Sequence, residues 1–167
     1  MAPAPGRERP GRDGVEGLPL TLLVTMVVLA ITIPLVFSSL RAYDRGRVEA
    51  LVISEIDDFI SSVQSIYISG PGNSVLVDFD LSAGAMTGID YVMFGDSPGG
   101  NLSSVIRYKL NDAPEKLLAI VSPNVPMTSN ESAALVIMPG ANSIKAECAS
   151  VASPEGTRAY VVLKLVH

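Results

Sequence analysis

The chain has 167 residues, a net charge of −5, no Trp, one Cys and one His. The acidic balance argues against a nucleic-acid partner, which selects a basic face. One cysteine, Cys148, excludes an intrachain disulfide, and with His167 as the sole imidazole the chain lacks the residue sets on which most metal and nucleophilic chemistry draws.

Residues Met1 to Gly17 are rich in Ala, Pro, Gly and Arg and have no apolar period, which predicts a disordered leader. Leu18 to Phe37 then reads LPLTLLVTMVVLAITIPLVF without a charge. As a helix it reaches about 30 Å, the thickness of a bilayer's hydrocarbon core, and its only polar side chains are scattered threonines. The expectation is a membrane span. Arg7, Arg9 and Arg12 precede it and Arg41, Arg45 and Arg47 follow it, so the arginine count does not set its orientation. Pro19 falls in the first turn, where its missing N–H is harmless. Pro34 falls near the far end, where it is expected to bend the helix or to leave a carbonyl that a threonine or a neighbouring helix must satisfy.

The helical pattern continues to Ser69. Apolar residues at Val48, Leu51, Val52, Ile56, Phe59, Ile60, Val63, Ile66 and Tyr67 fall three and four apart, one stripe that has to be covered. Glu49, Glu55, Asp57, Asp58, Ser61, Ser62 and Gln64 occupy much of the other side. Gly70-Pro71-Gly72 predicts the stop, with Gly70 in a left-handed cap. From Asn73 the pattern changes to short β-rich runs: Ser74 to Asp80, Gly88 to Phe94, Ser104 to Leu110, Leu117 to Val121, Ala134 to Met138, Asn142 to Cys148 and Arg158 to Val166. Pro114 to Val121 reads equally as a helical turn. Turn residues separate the runs, and about seven short strands predict an antiparallel sandwich or a rolled sheet. The fold class is therefore α+β: a long N-terminal helix, apolar all round and then amphipathic, followed by a β-rich head.

A charged leader, a spanning segment that continues as an amphipathic helix and a β-rich head together resemble the type IV pilins, and among them archaeal pilin-like proteins with a class III signal peptide. The matching stretch is Arg12-Asp13-Gly14-Val15-Glu16-Gly17-Leu18-Pro19-Leu20. The resemblance implies that a prepilin peptidase cuts on the cytoplasmic side of the span, after Gly14, leaving Val15 as the new N-terminus; Gly17 is the alternative. It also implies that the span stays on the mature protein and packs with copies of itself or related pilins in a filament. In that setting Glu16 pairs with the amino terminus of an adjacent subunit, and Pro34 lets the helix bend. Glu16 would be second after the cut, where many pilins carry Glu fifth, and Asp13 stands where a basic residue is common. The implied organisation is a leader at 1–14, a helix at 15–69 and an extracytoplasmic head at 73–167.

The remaining residues are weaker signals. Asn101-Leu102-Ser103 and Asn130-Glu131-Ser132 are N-glycosylation sequons in expected loops. Cys148 reads as a small buried apolar residue at a strand end, and His167 as a terminal residue without a role. Asp57-Asp58 and Asp78/Asp80 lack the oxygen-ligand spacing of a calcium loop. No phosphate loop, zinc spacing or nucleophile elbow is present. No cofactor is expected and no enzymatic activity. The functional expectation is a filament subunit, major or minor. The rivals are a membrane-anchored β-domain that binds an envelope partner without polymerising, as a stator-like component of a motility filament would; a secreted domain cut after Phe37-Ser38; and an anchored hydrolase.

Overall fold

The computed structural model of the chain describes residues 13–153 and 156–166 and, among them, the side chains of 20–152 and 156–166. One helix, α1 (Asp13–Ser69), precedes eight strands: β1 (Ser74–Leu81), β2 (Ile89–Phe94), β3 (Val105–Leu110), β4 (Lys116–Ala119), β5 (Met127–Ser129), β6 (Leu135–Ile137), β7 (Gly140–Ser153) and β8 (Gly156–Val166). The chain divides into two compact units, Met1–Leu40 and Arg41–His167. The leader residues 1–12 and His167 lie outside the described residues.

In the first unit every described side chain of residues 20–40 is exposed. The helix runs unbroken through Pro34. Thr32 Oγ1 donates to the carbonyl of Val28 at 2.7 Å, one of several hydroxyls here that bond back a turn. It does not serve Ala30, whose carbonyl is the one a proline four residues on leaves without its helical N–H.

The second unit is built around the stripe. Val48, Val52, Ile56, Phe59, Val63 and Ile66 are buried, while Ile53, Ile60 and Tyr67 pack at the margin. Leu51, one step off that line, is exposed. The helix ends where expected: Gly70 takes φ +87° and donates to the carbonyls of Ile66 and Tyr67, and Asn73 Nδ2 donates to those of Ser69 and Gly70.

The strands form two sheets of four, ordered β1-β7-β8-β5 and β4-β3-β2-β6. Alternation sets their inner faces. In β3, Ile106, Tyr108 and Leu110 are buried while Val105, Arg107 and Lys109 are half-buried on the other face. Three rings mark where helix and sheets meet: Phe59 of α1 lies 5.3 Å from Phe79 of β1 and 4.7 Å from Phe94 of β2, and those two lie 5.4 Å apart. Rings tilted at such distances add about 0.5–1.5 kcal/mol per pair to the burial itself.

Four details differ from the pattern expected of the sequence. Lys116–Ala119 is a strand, since its backbone pairs with β3 from Val105↔Ala119 to Tyr108↔Lys116, so the helical-turn reading fails there. β7 runs to Ser153, well beyond Cys148, because β8 pairs with it along its length from Ser143↔Val166 to Ser153↔Gly156. Cys148, buried and free, is thus mid-strand. β5 was not expected. It pairs parallel to β8, the exception in otherwise antiparallel sheets.

β5 also ties the sheets together. Met127 N–H donates to the carbonyl of Ser103, and Asp96 N–H donates to that of Met127, so the β2–β3 loop of one sheet is bonded to an edge of the other. Gly95 makes the approach feasible. It takes φ +64°, and a Cβ there would collide with the carbonyl of Met127.

Candidate functional site

Two features of α1 carry chemistry that a helix–sheet core does not require. The first is the apolar segment. Leu20–Ser69 is long and apolar enough to cross a membrane, and the most apolar window within it has none of its residues buried. Leu20, Met26, Ile31 and Phe37 stand 67%, 70%, 60% and 58% exposed. An uncovered apolar surface of this extent marks a segment made for lipid or for a protein partner.

The second feature is a collar of polar contacts on the first turns of the second unit. Asp44 sits four residues before Val48, on the line of the buried stripe, so its carboxylate must find donors. It accepts from the backbone N–H groups of Ala85, Met86 and Thr87 at 3.2, 2.8 and 2.7 Å. The bond from Met86, with those from Thr87 and Ala85, holds its pKa below the ordinary value against the opposing effect of desolvation. Gly84 keeps the loop close, since a Cβ there would strike the Asp44 carboxylate and Val48. Arg45 Nη2 donates to the carbonyl of Asp112 at 2.7 Å, holding the β3–β4 turn.

Glu49 completes the collar. Its Oε1 accepts from Lys116 Nζ of β4 and, at 3.2 Å, from Tyr108 Oη of β3. The lysine is the main reason that its pKa lies below the ordinary value. Tyr108 is pushed up to about 12, by burial first and then by the Glu49 charge. Asp44, Arg45 and Glu49 therefore fix three segments of the head to one face of the helix. Glu49 falls on the polar side by pattern, yet it is half-buried, because that side meets β3 and β4.

The other residues singled out in the sequence are scattered. Gly14, Val15 and Glu16 lie on the first turn of α1, and their side chains lie outside the described residues. Pro34 is separated from them along the helix, so nothing gathers these four into one site. Asn101 and Asn130 are both exposed and both in loops. Asp78 accepts from Ser143 Oγ and Asp80 from Ser82 Oγ, which is the behaviour of solvated strand faces. Among the described residues no group of three or more His, Cys, Asp or Glu could hold a metal ion. Burial alone pushes the Cys148 thiol up, away from the reactive thiolate.

Two open clefts mark the head. One, of about 460 Å³, lies over β1, β7 and the end of β8, with Glu55, Asp78 and Asp80 on its wall. The other, of about 560 Å³, is lined by the β2–β3 loop, Tyr67 of α1 and Arg158–Tyr160 of β8. The first also carries Ser143, whose Oγ donates to Asp78, while the second has no carboxylate in its lining. Sequence reasoning missed the collar. The signal available for it was Asp44 itself, a charge standing on the extension of an apolar stripe.

Compared with known proteins, the chain matches no family model, no curated protein and no solved structure.

Proposed function

We propose that this chain is a single-pass membrane protein with its head outside the cytoplasm, and that it serves as a structural subunit, major or minor, of a type IV pilus-like filament. The observation that carries the reading is the contrast along α1: residues 20–40 have no cover within the chain, whereas the stripe from Val48 to Ile66 is covered by both sheets. A soluble protein would not leave the first surface bare. In a membrane, lipid covers it; in a filament surrounded by water, neighbouring copies must. The Arg12 to Leu20 stretch, with its resemblance to a class III signal peptide, supports cleavage by a prepilin peptidase after Gly14, with Val15 as the new terminus and Glu16 available to an adjacent subunit.

The mature N-terminus tests this. Intact mass and terminal sequencing of material from native membranes and from sheared surface fractions should give a chain that starts at Val15, or at Leu18, and retains residues 20–40. Electron microscopy should then find filaments that disappear when the gene is deleted. A start near Ser39 would end the reading in favour of a secreted domain. An uncut chain that purifies as a monomer without filaments would favour a permanent anchor whose head binds an envelope partner.

A further inference from the structure

Asn101 has a feature at hand that a sequon does not need in order to be modified. Its side chain stands on the rim of the 560 Å³ cleft. Asn73 and Asn142 spend their Nδ2 groups on backbone carbonyls, but the Asn101 carboxamide bonds to no described residue. The loop that carries it is held firmly. Gly100 and Ser103 N–H close successive turns, Ser103 accepts from Met127, and Gly99 N–H donates to Tyr160 Oη at 2.8 Å.

The cleft has the chemistry of a saccharide seat. Two tyrosines, two asparagines and two serines, Tyr67, Tyr160, Asn101, Asn124, Ser103 and Ser104, line it, together with glycine backbone. No carboxylate does, and its one cation, Arg158, is already engaged. Tyr160 is 3% exposed, and while its oxygen accepts from Gly99, its own O–H donates to no described residue. Tyrosine offers an apolar face with a polar tip, and asparagine offers both donor and acceptor, which suits a sugar's alternation of C–H and O–H. So open a cleft would hold a free sugar weakly. A sugar tethered at the rim has an effective concentration in the millimolar range, and weak contacts then suffice.

We propose that Asn101 carries an N-linked glycan whose first sugars lie in this cleft, against Tyr67 and Asn124. The inference rests on the head being outside the cytoplasm. In the transfer, Asn101 Nδ2 attacks the anomeric carbon of a lipid-phosphate-linked oligosaccharide. The C–N bond forms, the sugar–phosphate C–O bond breaks, the lipid phosphate leaves and the amide proton passes to a base; nothing is oxidised or reduced.

The test uses full-length protein from its native host, wild type and Asn101→Gln. Glycopeptide mass spectrometry should find a glycan on Asn101. Hydroxyl-radical footprinting should then find Tyr67 more reactive in Asn101→Gln than in wild type, by roughly threefold or more if the tethered sugar covers it most of the time. Tyr43, far more exposed and on a different part of the chain, should not change. Asn124→Ala should keep the glycan and raise Tyr67 reactivity toward that of Asn101→Gln. Unmodified Asn101 in a head that membrane-impermeant reagents label on intact cells overturns this inference and leaves the proposed function standing. Unmodified Asn101 in a head that those reagents do not reach overturns both. A glycan on Asn101 with Tyr67 equally reactive in the two proteins overturns the seat.

Discussion

The two halves of α1 draw on the same apolar residue types and meet different fates. Residues 20–37 hold leucine, valine and isoleucine on every side, so no single partner surface can cover them. From Val48 onward the same residue types recur only at steps of three and four, and the sheets cover that one stripe. The second half interleaves them with Glu49, Glu55, Asp57 and Asp58, so its apolar content is lower as well as one-sided. The angular distribution of that content dictates how many neighbours each half requires.

Substitutions that swap the roles of the halves give the largest effects. Phe59→Ala removes the ring shared by helix and both sheets and should cost about 3–5 kcal/mol of head stability. Ile31→Ala, of similar type but in the bare half, should change it by less than about 0.5 kcal/mol. Denaturant titration of the detergent-solubilised chain measures both, and equal losses would break the comparison. Next comes Val28→Arg, which should disfavour membrane insertion by about 2.5–3.5 kcal/mol if residues 20–37 sit in lipid. Leu51→Arg, in the exposed margin of the second half, should leave the protein in the membrane fraction. Equal insertion of the two variants in a quantitative membrane-insertion assay would count against a membrane span.

A third substitution asks whether cover of the stripe depends on the joint between sheets. Gly95→Ala forces a side chain into a left-handed backbone and against the Met127 carbonyl, and should cost about 1–3 kcal/mol. Hydrogen exchange should find faster exchange at Met127 and Val161, whose N–H groups anchor β5 and β8. The smallest effect is acid sensitivity of the collar. Asp44 and Glu49 have pKa values lowered in the folded state, so their stabilisation is complete above the ordinary carboxylate values of 3.8 and 4.5 and is lost as pH falls through the folded ones. Stability should therefore drop below about pH 4, and Asp44→Asn should flatten part of that drop.

The fold was legible wherever a period repeats. The stripe, the glycine stop and the alternation in β3 all followed from spacing. β5 did not, since three residues beside Pro126 carry no period and their partners, Val161 to Leu163 and Ser103, lie far away in sequence. The ends of β7 were lost for a related reason, since Ala149 to Ser153 is strand only because β8 lies beside it. For the candidate site, the apolar surface could be read directly and the collar could not. Asp44 is recognisable as an anchor only once the amides of residues 85–87 are placed above it.

β8 lies inside its sheet, between β7 and β5, although it is the last strand to be made. A ribosome produces the stripe of α1 first and the residues that finish its cover, Val161 and Leu163, about a hundred residues later. At roughly 5–20 residues per second the nascent helix waits on the order of 5–20 s with its apolar face unsheltered. Glu55, Asp57 and Asp58, interleaved with the stripe in sequence, make this half of α1 a far poorer match to a hydrocarbon core than residues 20–37.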